Sequence, residues 1–137
     1  MEQVVVDTNI LVASFLEADT LNQQAQPYLL GLEAGDYTFH LPMLVVVEVV
    51  AVIGRRVEQG RQALLARARK SLADWERDGK IALYPLDRDR MEHAATVAQQ
   101  SRLYGADAVI AALAQELTVS LRTYDNDILQ KFAQASV

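Results

Sequence analysis

Four carboxylic acids interrupt or terminate the apolar segments of this chain. Asp7 follows the valine run of "VVVDTN", Glu48 sits inside "LVVVEVVAV", Asp107 opens "DAVIAALA", and Asp125, with Asp127 close behind, ends "LRTYDND". A carboxylate withdrawn from water costs several kcal/mol unless a hydrogen bond, a cation or a proton compensates it. Oxygen donors of this kind suit hard divalent cations. Mg²⁺ in particular is held by few carboxylates together with water and substrate phosphate. The chain has no cysteine, and its two histidines, His40 and His93, are far apart in sequence. A thiolate site, a disulfide framework, a zinc centre and a Cys/His pair are therefore disfavoured. Both histidines read as surface or packing residues. No glycine-rich phosphate loop is present.

Each acid also has an ordinary structural explanation. Asp7 could start a turn or cap the helix that follows, its side-chain oxygens accepting backbone N–H groups. Glu48 could lie on the one wet stripe of its segment or pair with a nearby arginine. Asp107, two residues after Gly105, stands where a helix N-cap is expected. Asp125 and Asp127 fit a turn rich in Asp and Asn. Taken singly, Asp107 and the Asp125/Asp127 pair favour these readings.

The elements that must position the acids alternate between strand and helix. Val4, Val5 and Val6 form a short strand, followed by helices through "ILVASFLE" and "TLNQQAQPYLLGLEAG", and "YTFHL" is a strand ending at Pro42. "MLVVVEVVAVIGRRVEQG" is β-branched, yet it is long for a strand and begins beside a proline that suits a helix start, so it reads as a buried helix. Gly54 and Gly60 allow that segment to bend or end. "RQALLARARKSLADWERDG" is an amphipathic helix with Leu64, Leu65, Ala68, Leu72 and Trp75 near one face. "KIALYPL" is a second core strand, "DRDRMEHAATVAQQSRLYG" and "ADAVIAALAQEL" are helices, and "TVSLRTYD" closes the set as a strand. Strands separated by helices imply a three-layer α/β domain with a central parallel sheet flanked by helices. Ligands of such sheets bind at the carboxyl ends of the strands, where Asp7 and Asp125 would both lie.

The chain has 137 residues, 51% of them hydrophobic, enough for one domain (1–137) with one core. No repeat, low-complexity tract or linker divides it. Nothing at the start resembles a signal peptide, and the longest near-apolar stretch falls short of a membrane span, so a soluble cytoplasmic protein is expected. The formal charge of −5 argues against a protein that coats nucleic acid by bulk charge. It does not exclude a nuclease whose acids are neutralised by bound metal. Arg55, Arg56, Arg61, Arg67, Arg69 and Lys70 put six of the 13 bases into one short span. A solvated helix face explains most of them; Arg55 and Arg56, which follow the Glu48 segment, are the candidates for a phosphate-binding rim.

The acids, in this order and spacing, resemble the motifs of the PIN-domain family of metal-dependent ribonucleases. The branch most resembled is that of the VapC-like toxins of toxin–antitoxin pairs. "VVVDTNILV" is similar to the family's opening strand, "VVVEVV" to its acid-bearing helix, "DAVIAALA" to its third acidic motif and "LRTYDNDI" to its fourth. The resemblance implies that Asp7, Glu48, Asp107 and Asp125 are catalytic and metal-site acids, with Asp127 an optional further ligand. Asn9 and Thr123 match the residues that brace the site, and Thr8 sits beside them. Where relatives often carry Ser or Thr shortly before the second acid, this chain has valines, so Glu48 has no polar support from its own segment. The resemblance further implies hydrolysis of RNA phosphodiester bonds with one or two Mg²⁺ or Mn²⁺ ions, a homodimer, and an antitoxin partner. The apolar residues Leu29, Leu30, Leu32 and Trp75, read as a surplus over one core, point the same way on oligomeric state.

Other readings remain open at this point. A PIN nuclease of RNA maturation would carry the same acids without an antitoxin. A phosphoacceptor signalling domain is also α/β with acids at strand ends. It would show two adjacent acids after the first strand and a late lysine, whereas Asp7 is followed by Thr8 and Asn9, and Lys131 lies beyond the last strand signal. An inactive interaction module would not need all four acids.

Overall fold

The valine run becomes the middle of the sheet. In a computed structural model, which describes all residues from 1 to 137, Val4, Val5 and Val6 are completely buried on the central strand β1 (Glu2–Val6). Consecutive residues point to opposite faces of a strand, so burial of all three means that both faces of β1 are covered. The remaining elements follow as α1 (Thr8–Phe15), α2 (Asn22–Ala34), β2 (Tyr37–Pro42), α3 (Met43–Arg56) and α4 (Arg61–Arg77). After these come β3 (Ile81–Tyr84), α5 (Arg88–Ser101), α6 (Gly105–Leu117), β4 (Ser120–Arg122), α7 (Asn126–Lys131) and β5 (Ala135–Ser136). The strands form one sheet in the order β3-β2-β1-β4-β5, and every neighbouring pair is parallel. The three-layer α/β architecture expected from the alternation is the one observed.

The helices are held by the faces they bury. In α6, Ala108, Ala111, Ala112 and Ala114 are small enough to bring the helix close to β1, β2 and β4, with Ile110 and Leu113 filling the space between. α5 packs on α6, while α1 packs on α2 and α3, and α3 on α4. α4 contributes Ala68, Leu72 and Trp75, and the Trp75 ring stacks on Phe15 with centroids 5.8 Å apart. Gly35 ends α2 in the left-handed region at φ 85°, a conformation open to glycine without the Cβ penalty. No helix is long and apolar enough to cross a membrane.

Several sequence expectations need correction. α3 is a helix, begun by Pro42 as its N-cap, but it is not buried all round. Val45, Val49 and Ile53 face the core at intervals of four, whereas Met43 and Val47 are exposed. Helix periodicity forces this split, because a segment lying on a sheet has one face against it whatever its composition. Gly54 does not end α3, which runs on to Arg56. "KIALYPL" is the edge strand β3, with only Ile81 buried. The chain does not close on β4: α7 and the two-residue strand β5 follow, and both are too short to leave a periodic signal. Leu32 and Trp75 belong to the single core, so they are no surplus; of the group named above, Leu30 is the exposed member.

Candidate metal centre

The strand order reverses between β1 and β4, and a parallel sheet opens a crevice at the carboxyl ends of such a pair. Asp7 leaves β1 at this crevice, its N–H donating to the Arg122 carbonyl at 2.9 Å. Its carboxylate is almost fully buried and both oxygens are engaged. Oδ1 accepts the Thr8 N–H at 2.7 Å, and Oδ2 accepts the Thr123 hydroxyl at 2.7 Å. Asp7 is thus the N-cap of α1 and a wall of the crevice at once. Burial pushes its pKa up, the hydrogen bonds from Thr123 and Thr8 oppose the rise, and the charges of Asp125 and Glu48 add to it.

Thr123 is the hub of the far side. Fully buried, it donates to Asp7 and accepts the Asp125 N–H at 3.0 Å and the Asn9 amide at 3.5 Å. One donor and two acceptors exhaust what a hydroxyl offers. Asn9 also accepts the Tyr124 N–H at 3.4 Å, so the segment after β4 is tied to the first turn of α1. Asp125 caps α7 by accepting the N–H groups of Asp127 and Ile128 on Oδ1.

Glu48 reaches the crevice from the half-buried flank of α3. Its polar support comes from Thr8, whose hydroxyl donates to Oε1 at 2.8 Å across 40 residues of sequence. The missing Ser or Thr before Glu48 is therefore replaced from α1. Asp107 is not the N-cap of α6; Tyr104 holds that position, and Asp107 is the third residue of the first turn, lining the same cleft as the other acids. Burial, with the charges of Asp7, Asp125, Glu48 and Asp127 behind it, pushes its carboxyl up to about 6.

Asp7, Glu48, Asp107 and Asp125 line one cleft of about 290 Å³, together with Thr8 and Asn9. Arg56 and Asp19 also line it, and Arg56 is its one base. Arg55, its neighbour, is exposed and takes no part in the cleft. Asp127 stands outside the lining: Oδ1 pairs with Lys131 at 2.8 Å, while Oδ2 is buried without a hydrogen-bond partner. That pairing also takes Lys131 away from the role a phosphoacceptor site would give it. His40 bonds to Tyr84 and Gln3, and His93 to Gln115, away from the acids.

The donor set fits a hard divalent cation. All the ligands on offer are oxygens, the charges of Asp125 and Glu48 help push up the carboxyls of Asp7 and Asp107, and Oδ2 of Asp127 is buried without a hydrogen-bond partner. No three of the acids lie close enough together to form a metal-holding group by themselves. An open arrangement of this kind suits Mg²⁺, which retains waters and completes its shell with substrate oxygen. Sequence reasoning missed Asp19. Its only signal, an Asp in "LEADTLN" after a short helix, is that of any loop.

Fold and cleft together define a parallel α/β domain with a cleft lined by acids at its topological switch point. The PIN domain profile matches residues 4–134, and the chain belongs to the PIN domain family. No curated protein matches it. Among solved structures, a toxin–antitoxin complex from Klebsiella pneumoniae is similar at 21% identity and TM-score 0.70, covering 98% of this chain and 96% of that one. VapC20 of Mycobacterium tuberculosis, described as a toxin that cleaves the sarcin–ricin loop, is similar at 20% identity and TM-score 0.70, with coverage of 96% and 97%. FitAcB from Neisseria gonorrhoeae is similar at 17% identity and TM-score 0.72, with coverage of 96% and 97%.

Proposed function

We propose that the protein is a Mg²⁺- or Mn²⁺-dependent endoribonuclease of the cytoplasm, acting as the toxin of a toxin–antitoxin pair. The observation that carries the nuclease reading is the convergence of Asp7, Glu48, Asp107 and Asp125, drawn from four separate elements, on one cleft. Membership of the PIN domain family supports it, and the toxin–antitoxin complex among the similar structures supports the antitoxin partner.

Asp7 and Asp107 are the principal ligands in this reading, with Asp125 and Glu48 completing the cluster and orienting the attacking water. A bound divalent cation supplies positive charge against the scissile phosphate and lowers the pKa of water. The protein's part is to hold the acids rigidly. Asp7 is fixed at a strand tip by Thr8 and Thr123, Glu48 is aimed by Thr8, and Asp125 is set by its cap to α7. Arg56 offers the cleft's one cation to an RNA phosphate.

Asp7→Asn tests the reading, because it preserves size and capping ability but removes the charge. Cleavage of an RNA panel with Mg²⁺ or Mn²⁺, absent in EDTA, is expected for the parent and lost in the variant, while the variant melts at or above the parent temperature. A variant as active as the parent would remove Asp7 as a ligand. The homodimer now rests on the exposed apolar residues Met43, Val47, Leu86, Met91 and Tyr104 rather than on Trp75. Light scattering at micromolar concentration should give twice the chain mass of 15.2 kDa.

A further inference from the structure

Asp19 lines the acidic cleft, but unlike the other acids there it is already paired with a base. Oδ1 accepts the Leu21 N–H at 2.8 Å, and Oδ2 pairs with the Arg56 guanidinium at 2.9 Å. Its side chain is only 12% exposed, against 46% for Arg56. The loop that carries it is well fixed on α1. The Asp19 N–H donates to the Leu16 carbonyl, its carbonyl accepts the Asn22 N–H, and the Asn22 amide reaches back to Ala13. Asp19 is the part-buried, hydrogen-bonded anchor, and Arg56 is the more exposed partner.

Arg56 needs an anchor because of where α3 puts it. Glu48, Val52 and Arg56 recur at intervals of four along one face, and all three line the cleft. At a rise of about 1.5 Å per residue, Arg56 starts about 12 Å along the axis from Glu48. An unrestrained arginine at that position faces four acids and no competing base, so it would fold inward along the helix toward Glu48. The pair with Asp19 holds it at the mouth instead. It uses only part of the guanidinium's five-donor fork, which leaves further N–H groups for an anion.

We infer that Asp19 is a positioning residue: it fixes Arg56 at the cleft mouth, where the guanidinium binds an RNA backbone phosphate next to the scissile one. The inference rests on the nuclease reading for the identity of the reaction, but not for the binding step. A plain electrostatic account makes the opposite prediction for the same residue. If Asp19 were only a nearby negative charge, or a staple between the loop and α3, its neutralisation would leave RNA binding unchanged or tighten it.

A double-mutant cycle on RNA binding separates the two. Affinity for a short single-stranded RNA oligonucleotide is measured by fluorescence anisotropy across a salt series, in an Asp7→Asn background so that the probe survives. Arg56→Ala should weaken binding about tenfold and reduce the salt slope by about 0.7, the value for one phosphate contact on a single strand. Asp19→Asn, which keeps the acceptor for Leu21, should weaken binding about threefold when Arg56 is present and have no effect when it is Ala. Arg56→Lys should recover part of the affinity, because the charge remains and the fork is lost. In the active protein, Asp19→Asn should raise KM and leave kcat within about twofold.

Tighter binding by Asp19→Asn, or an equal effect with and without Arg56, would overturn the inference. An unchanged salt slope in Arg56→Ala would do the same without requiring Asp19→Asn to fold. A parent that binds the oligonucleotide through this pair but cleaves no RNA would refute the nuclease reading and leave the pair standing. A parent that cleaves RNA while the cycle shows no coupling would do the reverse, and failure to bind the oligonucleotide at all would overturn the inference too.

Discussion

Asp74 on α4 and Asp107 on α6 are both aspartates on amphipathic helices, and their surroundings are opposite. Lys70 Nζ lies 2.6 Å from Asp74 and Arg77 Nη1 lies 2.9 Å away, each on the same helix. The hydrogen bond from Lys70 and the charges of both bases hold the Asp74 carboxyl below its ordinary value. Asp107 has acids for neighbours, and burial with their repulsion pushes it up to about 6. A surface acid on α4 is compensated by its own helix through spacings of three and four residues. Asp7, Glu48, Asp107 and Asp125 are brought to one cleft from remote parts of the chain, and no base forms an ion pair with any of them. Under the proposed function, what that costs the folded chain is returned when a cation binds, because the same repulsion becomes attraction for positive charge.

The largest effect expected from this contrast is at Asp107. Asp107→Asn should lower metal-dependent cleavage about 100-fold or more, the scale seen when one preorganised group at a reacting centre is lost. The same variant should alter stability without metal. The folded-state pKa of Asp107, about 6, lies above the ordinary 3.8, so the folded chain binds the proton more tightly than the unfolded one. That contribution is complete below about pH 4 and is lost as pH rises through about 6. A shift of this size corresponds to about 3 kcal/mol if fully expressed, and solvent in an open cleft reduces it to about 1–2 kcal/mol. Melts in EDTA should therefore show the parent losing stability between pH 4 and pH 6, with a shallower loss in Asp107→Asn. Saturating Mn²⁺ at pH 7 should raise the parent's melting temperature by about 5–10 °C and the variant's by far less. A parent indifferent to both pH and Mn²⁺ would break the comparison.

Thr8→Val sharpens the comparison at intermediate size. Valine keeps the shape of threonine and removes the hydroxyl that aims Glu48 at 2.8 Å. Cleavage should fall about tenfold through misplacement of the acid, and stability should change by about 1 kcal/mol, the net value of one hydrogen bond. Loss of cleavage as complete as that of Asp107→Asn would move Thr8 from support to ligand.

How far the sequence discloses these features depends on how local their causes are. The apolar run before Asp7 and the small-residue face of α6 are local, and both elements form where the pattern places them. The four acids are legible as a group because each one opens, breaks or ends an apolar segment. Their supports are less so. Nothing near Glu48 in sequence points to Thr8, since the contact joins α1 to α3. Asp19 reads as a loop residue until the fold sets it against Arg56. Arg55 and Arg56 are equivalent in sequence and both exposed, and only the phase of α3 sets Arg56 at the cleft and Arg55 away from it. The strand β5 has two residues and is defined by its pairing with β4 rather than by any pattern of its own. The exposure of Met43 and Val47 shows the limit of composition, because a helix with valine on every side still has an outer face.

The smallest effect belongs to the other half of the comparison. Asp74→Asn removes a carboxylate as well paired as any in the chain, yet both partners are exposed, Lys70 at 77% and Arg77 at 68%. Water and salt already screen such pairs, and holding two long side chains in one geometry costs rotamer freedom. The melting temperature should fall by about 1–2 °C at low ionic strength, and the difference should vanish near 1 M salt. Because Asp74 is lowered rather than raised, its contribution has the opposite sign to that of Asp107. It is present above the ordinary pKa of 3.8 and is lost as pH falls below it, so the variant should differ from the parent at pH 7 and converge with it in acid. Cleavage and Mn²⁺ response should match the parent, since no residue of the cleft touches Asp74. A change in either one on Asp74→Asn would mean that the paired acids of α4 and the unpaired acids of the cleft are not separate populations.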